Sequence, residues 1–216
     1  MKPTSTDIAK NVTRFFVYLL VVWGFWRLLF QAPDPWEELL VKPLVWLVPL
    51  AYVLKKEKQG IASIGVTAKG LFPTLYFTLM LGAVFLMIGF LTNYLKYSSF
   101  SFNAMIASTD FTTALILSFF TAVTEELVFR GYFFTRLETL VKSEWTANLL
   151  VSVGWVLIHL PIAIFDWKLT PMALLSYVAV IFVFSIGATF VFARTRNVFA
   201  ASLLHVLWQW PVILYR

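Results

Sequence analysis

The sequence has no cysteine among its 216 residues. Disulfide bonds, thiolate metal sites and cysteine nucleophiles are therefore excluded. Charged residues are also scarce: they form 13% of the chain, whereas a soluble domain carries about 25%. Apolar residues dominate instead, at 60% of the chain, and the mean hydropathy is +0.82. One globular core of this length does not hold so much apolar surface, so the composition predicts that the surrounding solvent is lipid.

Seven apolar segments approach the roughly 20 residues that a helix needs to span a bilayer. The second is the least regular because Lys42, Pro43 and Pro49 interrupt it, which favours either a re-entrant segment or a short tilted span. The sequence predicts an all-α fold, a polytopic transmembrane helical bundle of about seven spans. Residues 1–108 supply three spans and residues 109–216 supply four, within one compact membrane domain. The segments are 12–31, 38–54, 71–94, 111–136, 146–165, 172–193 and 198–214.

The basic residues cluster at the ends of these segments, in the pattern of the positive-inside rule. With the N-terminus in the cytoplasm, eleven Lys and Arg residues lie on the cytoplasmic side. Four lie on the outer side: Lys42, Lys96, Lys168 and Arg216. The bias predicts an N-in, C-out topology and an integral, multi-pass membrane protein. Because the distribution accounts for the net charge of +6, nucleic acid is not an expected partner.

Three ionisable residues, Glu125, Glu126 and Arg130, lie within the apolar segment 111–136. Each buried charge costs roughly 2.5–3.5 kcal/mol on insertion scales, so such residues are usually paired and functional. Glu126 and Arg130 are four residues apart and share a helix face, with the acid on the favourable N-terminal side. Glu125 has Phe129 at the equivalent position. It must therefore find a partner on another helix or a water molecule.

Both histidines of the chain, His159 and His205, also lie inside predicted spans. Gln209 follows His205 by four residues, so its amide shares that helix face. Pro161 removes a helical hydrogen bond just after His159 and predicts a kink there. Small residues around both histidines permit close approach of the helices; they are Ser152, Gly154, Ala200, Ala201 and Ser202. We expect the histidines and glutamates to form one site.

These side chains suit hydrolysis of an acyl bond by water. A carboxylate and a neutral imidazole can hold and deprotonate water, and a second imidazole with an amide can stabilise the oxyanion. The sequence has no H-E-x-x-H zinc motif and no G-x-S-x-G nucleophile motif. We therefore expect no cofactor. The alternative is zinc held as a His₂Glu site by Glu125, His159 and His205.

The polar residues resemble the CPBP family of membrane proteins, the CAAX proteases and bacteriocin-processing proteins also called the Abi family. Its pattern is E-E-x-x-x-R, then F-x-x-x-H, then H-x-x-x-N, each on its own helix. This chain has Glu125-Glu126-x-x-x-Arg130, then Trp155-x-x-x-His159, then His205-x-x-x-Gln209. Trp replaces Phe in the second motif and Gln replaces Asn in the third. The resemblance covers roughly residues 109–214.

The resemblance implies an intramembrane endopeptidase. Glu125 would be the general base, working with His159 on water, while His205 and Gln209 stabilise the oxyanion. Glu126, Arg130 and Trp155 would support them. The substrate is expected to be a membrane peptide or protein: a prenylated CAAX tail, or a bacteriocin or other peptide in a prokaryote, where the location is the plasma membrane.

The residues alone are also compatible with two other functions. The first is a non-catalytic immunity or scaffold protein of the same fold, which the Gln209 substitution favours. The second is a proton-coupled transporter with a carboxylate–histidine relay. A transporter predicts internal repeats or paired broken helices, and the sequence contains no evident repeat.

Overall fold

The computed structural model describes residues 3–30, 34–98 and 111–214. Most residues in these ranges are helical and none forms a β-strand, so the predicted all-α class is confirmed. The helices are α1 (Ser5–Leu29), α2 (Asp34–Trp36), α3 (Lys42–Lys56), α4 (Leu71–Tyr97), α5 (Phe111–Glu126), α6 (Thr135–Val141), α7 (Glu144–Pro161), α8 (Pro171–Thr195) and α9 (Val198–Leu214).

Three π-helical segments join or extend these helices. Glu37–Val41 links α2 to α3, Leu127–Phe134 links α5 to α6, and Ile162–Asp166 continues α7. As a result, the chain forms long continuous rods rather than short separate helices. The predicted segment 38–54 lies in one such rod, which runs through Pro43 and Pro49. At the predicted kink, the helix continues past Pro161 but changes to the wider π-helical form.

Three of the described helical stretches are long and apolar enough to cross a membrane: Ser5–Leu29, Glu144–Asp166 and Pro171–Thr195. Phe72–Ile88 and Val198–Gln209 are shorter apolar stretches. The seven spans and the N-in, C-out orientation therefore stay predictions. The predicted boundary between residues 108 and 109 lies outside the described residues, as does most of the predicted outer loop between Lys96 and Asp110.

Side chains that recur at helical spacing form the core. On α1, Phe15, Leu19 and Trp23 lie on one face and are buried, as a step of four residues requires. The Phe15 ring contacts Tyr132, with ring centroids 5.6 Å apart, and Trp23 contacts Trp46 at 5.8 Å. These aromatic contacts hold α1 against α3 and the π-helical segment Leu127–Phe134. The five small residues predicted to allow close helix approach are all buried.

Gly131 illustrates how closely the backbone segments approach one another. A Cβ atom at Gly131 would lie 2.8 Å from the carbonyl oxygen of Ile64. Ile64 ends the 3₁₀ turn Ile61–Ile64, which lies between α3 and α4. Any side chain at position 131 would therefore push this turn away from the π-helical segment that follows the glutamate pair.

A second ionic cluster lies at the C-terminal end of α3. The buried Glu57 carboxylate accepts hydrogen bonds from the Tyr132 hydroxyl (2.8 Å), Arg136 Nε (2.7 Å) and Asn11 Nδ2 (3.2 Å). One side chain thus connects α1, α3, α6 and the π-helical segment between α5 and α6.

Replacing Glu57 by Gln should lower the free energy of unfolding by about 3 kcal/mol, because Arg136 is left buried without its counter-charge. The measurement is reversible unfolding in mixed detergent micelles. The control is Glu144→Gln, which removes an exposed pair with Arg194 and should cost less than about 1 kcal/mol. Equal losses in the two variants would contradict the structural role of Glu57.

Candidate active site

The glutamates and histidines predicted to form one site come together from three helices. His205, on α9, donates from Nδ1 to Glu126 Oε1 at 2.8 Å. Its Nε2 atom lies 3.9 Å from Glu125 Oε2. All three side chains are buried. The rod from Phe111 to Val141 is continuous, and Glu125 lies near its middle.

The predicted pair of Glu126 and Arg130 is confirmed. Arg130 Nη1 lies 2.9 Å from Glu126 Oε1, and neither side chain is exposed to solvent. Arg130 Nη2 donates to Ser185 Oγ on α8 at 3.0 Å. The guanidinium carbon lies 4.3 Å from the centre of the Trp155 ring, a cation–π contact. The pair thus joins α5, α7 and α8 beside His205.

Glu125 has the interhelical partner that its position required, and that partner is Lys42. The Lys42 Nζ atom lies 2.6 Å from Glu125 Oε1, with both side chains buried. Lys42, which the sequence pattern counted among the outer basic residues, therefore points into the bundle; the side of the membrane on which it lies stays a prediction. Its ammonium group is inside the bundle because a buried carboxylate compensates its charge, and a burial of this kind is tolerated only when the ion is paired.

His159 joins the site from α7 with a defined tautomer. Its Nδ1 atom lies 2.7 Å from the Trp155 carbonyl oxygen. A carbonyl only accepts, so Nδ1 carries the proton and Nε2 holds the free lone pair when the ring is neutral. The ring centroid lies 4.5 Å from that of Trp155. The His205 ring contacts the same indole, with centroids 5.5 Å apart.

Gln209 reaches the site as its spacing predicts. Its Nε2 atom lies 3.1 Å from His205 Nε2, and its Oε1 atom accepts from the Ser118 hydroxyl at 2.9 Å. The longer glutamine side chain therefore still brings its amide to the histidine. Together these bonds make one polar chain across the bundle, which runs through Ser118, Gln209, His205, Glu126, Arg130 and Ser185.

The sequence reasoning missed Lys42, Ser118 and Ser185. Lys42 carried a usable signal, since it is a basic residue inside an apolar segment and follows Glu38 by four residues. The rule that marked Glu125 as functional, the cost of an intramembrane charge, applies equally to it. The two serines carried no such signal, because uncharged hydroxyl groups are common in membrane helices and cost little there.

The residues of the zinc alternative do not fit an ion as they lie. Within the described part of the chain, no group of three His, Asp or Glu side chains is placed to hold one metal ion. His205 Nε2 is at hydrogen-bond distance from the Gln209 amide, and Glu125 Oε1 is bound by Lys42. One atom of each of these two expected ligands thus already has a partner.

Both imidazoles should be Nδ1–H tautomers in the resting protein, since Nδ1 faces an acceptor in each ring: the Trp155 carbonyl for His159 and the Glu126 carboxylate for His205. Nitrogen NMR of protein labelled only in histidine would resolve the two rings, because the chain has no others. His159→Phe assigns the spectrum. An Nε2–H tautomer at His159 would contradict the geometry.

Comparison with known proteins agrees with the motifs. Residues 107–211 match the family model described as type II CAAX prenyl endopeptidase Rce1-like. No curated protein matches the chain. The matched residues include the three motifs and exclude α1, α3 and α4. The resemblance predicted from the motifs is therefore confirmed: over residues 107–211 this chain matches the Rce1-like type II CAAX prenyl endopeptidases, a membrane-embedded family whose activity is proteolysis of the CAAX type.

Proposed function

We propose that the protein is an intramembrane endopeptidase that hydrolyses peptide bonds by glutamate- and histidine-activated water. The observation that carries the proposal is the convergence of Glu125, His159 and His205 from three helices. Glu125 Oε2 lies 3.9 Å from His205 Nε2, and both imidazole rings contact the Trp155 ring. Burying these groups together is costly. A purely structural role needs only the Glu126–Arg130 pair, which is neutralised within its own helix.

Glu125 is the general base of the proposal. Lys42 binds Oε1, so Oε2, on the side of His205, is the oxygen available to water. The free Nε2 lone pair of His159 provides a second acceptor for the same water. As the water oxygen attacks the scissile carbonyl, its proton passes to Glu125. The proton then passes to the leaving amine when the carbon–nitrogen bond breaks, which returns Glu125 to its starting state.

His205 and Gln209 stabilise the negative oxygen of the tetrahedral intermediate. The resting Nδ1–H form of His205 has only a lone pair at Nε2. His205 therefore takes up a proton from solvent at Nε2 before it donates to the oxyanion, while the Glu126 carboxylate accepts from Nδ1. The amide of Gln209 provides N–H groups beside the same atom. Donors that are fixed before the reaction are worth about 2.7–4 kcal/mol each in related oxyanion sites. Arg130 and Trp155 act through Glu126 and the two rings, and hold them in position.

The substrate is a membrane-associated peptide or protein. A CAAX-type tail, prenylated or not, fits the family match over residues 107–211; a bacteriocin or other processed peptide is the alternative in a prokaryote. The lipid of a prenylated substrate would keep it within the bilayer, at the depth of a buried site. The proposal requires no metal, and its chemistry uses only side chains of this chain.

Glu125→Gln should reduce cleavage of a quenched farnesylated CAAX peptide by on the order of 10²–10⁴-fold, since it removes the general base. The measurement is peptide cleavage by the purified full chain in detergent or liposomes. Glu144→Gln, a change of the same type at a surface pair, serves as the control and should keep the parent rate. A mixed peptide library is tested in parallel, because it includes unprenylated sequences.

A strong chelator should leave the parent rate unchanged. Loss of cleavage on chelation, restored by zinc, would favour the His₂Glu alternative. Parent activity in Glu125→Gln would contradict the glutamate mechanism. No cleavage of either substrate by well-folded protein would favour the scaffold function, and proton-coupled flux in liposomes would favour the transporter.

We also propose seven spans with the N-terminus inside and the C-terminus outside, and the plasma membrane as the location in a prokaryote. The cysteine-free chain allows a clean test with single cysteines at two exposed positions, Gln59 and Asp166. A membrane-impermeant maleimide applied from outside should label Asp166→Cys, and should label Gln59→Cys only after permeabilisation. The parent chain should stay unlabelled. Labelling of both variants in intact vesicles would contradict this topology.

A further inference from the structure

Lys42 brings a residue of the amino-terminal part of the chain to the site that the family match covers. It lies on α3, outside residues 107–211. We infer that Lys42 is a positioning residue for the proposed reaction: it fixes the Glu125 carboxylate so that the other oxygen faces His205. The inference rests on the proposed function, in which Glu125 is the general base.

The surroundings of Lys42 fix its ammonium group in one place. Nζ lies 2.6 Å from Glu125 Oε1 and 2.7 Å from Glu38 Oε2. The indole rings of Trp23 and Trp46 lie on other sides of it, with Nζ 5.6 and 5.9 Å from their centres. The side chain is 4% exposed. Two carboxylates and two aromatic faces therefore enclose a cation whose stem would otherwise be flexible.

Glu38 is itself held by two other helices, so Lys42 has a firm anchor. Thr121 Oγ1, on α5, donates to Glu38 Oε2 at 2.5 Å. Arg27 Nη2, on α1, lies 3.5 Å from Glu38 Oε1. Thr121 precedes Glu125 by one helical turn on the same helix. The contacts Thr121–Glu38–Lys42–Glu125 therefore make a closed loop between α3 and α5, which fixes the position of Lys42 relative to Glu125.

This arrangement distinguishes the two oxygens of Glu125. Oε1 accepts from Lys42, while Oε2 lies 3.9 Å from His205 Nε2. Without Lys42, the carboxylate would be free to rotate towards either histidine. The charge balance would also change. The ion pairs around the site involve four carboxylates and three permanent cations: Glu37, Glu38, Glu125 and Glu126, with Arg27, Lys42 and Arg130. Of these three cations, Lys42 is the one that contacts Glu125, so its removal leaves the Glu125 carboxylate without its ion-pair partner.

The first test compares kcat and KM for the farnesylated CAAX peptide in purified, monodisperse full-chain variants. Lys42→Met should lower kcat on the order of 10²-fold, the size expected from misplacing a reacting group by about 1 Å. KM should stay near the parent value, because Lys42 does not contact substrate in the proposal. Lys42→Arg keeps the charge and should restore much of the rate. Lys55→Met, at an exposed lysine on the same helix, is the matched control and should behave like the parent.

The second test is a thermal-stability cycle that does not depend on cleavage. Lys42→Met should lower the Tm, and most of that loss should disappear when Glu125→Gln is also present, because the unpaired carboxylate is then gone. An equal loss in both backgrounds would overturn the pairing. A folded Lys42→Met protein with the kcat of the parent would overturn the positioning role. If the parent itself cleaves nothing, the proposed function fails, and the stability cycle alone decides whether Lys42 fixes Glu125.

Discussion

The ion pair between Glu126 and Arg130 is the interaction around which the bundle is organised. Neither side chain reaches solvent, and each must satisfy its remaining hydrogen-bonding capacity inside the protein. Arg130 therefore draws Ser185 of α8 and the Trp155 ring of α7 towards α5, while Glu126 draws His205 of α9. Two residues one helical turn apart thus specify how four helices come together. A buried pair of this kind contributes more to the choice of one arrangement than to net stability.

The neighbouring glutamate, Glu125, obtains its counter-charge in a different way. Glu125 lies one residue, about 100°, around the helix from Glu126, which brings it to α3. Its cation comes from Lys42, and Lys42 is shared with Glu38. The adjacent glutamates therefore have different cationic partners. Glu126 is paired with Arg130 within the same helical rod, whereas Glu125 is paired with Lys42 from another part of the chain.

Much of the site was predictable because its spacing obeys local helix geometry. The pair Glu126–Arg130 and the contact of His205 with Gln209 both follow from steps of four residues, which place side chains on one face. The resemblance of the motifs added the link between the three helices. The contact between Lys42 and Glu125 was not predictable in the same way. It joins residues far apart in sequence, and the positive-inside rule assigned Lys42 to a surface because that rule counts charges without knowing their partners.

In the fold, too, the features set by local sequence were predictable and those set by tertiary packing were not. The apolar segments predicted the long helices well, since hydrophobic length is a local property. They did not predict the three π-helical segments. Pro161 gave a signal for one of them, through its missing N–H group. Glu37–Val41 and Leu127–Phe134 contain no proline, although Pro43 follows the first segment and Gly131 lies within the second. The apolar pattern does not show these features, and packing against neighbouring segments, as at Gly131 and Ile64, contributes to the wider turns.

Each π-helical segment adjoins a polar residue of the site: Lys42 follows the first, Glu126 precedes the second, and His159 lies just before the third. A π-helical turn holds about one residue more than an α-helical turn and occurs often at functional sites. A π-helical turn is therefore geometrically equivalent to the insertion of one residue into a helix that stays continuous. These segments are therefore the places where the chain can lose or gain one residue while the α-helices on either side keep their positions. An aligned homologue with unbroken α-helices here would be expected to show a single-residue gap at each segment, beside the polar residue and not within a loop.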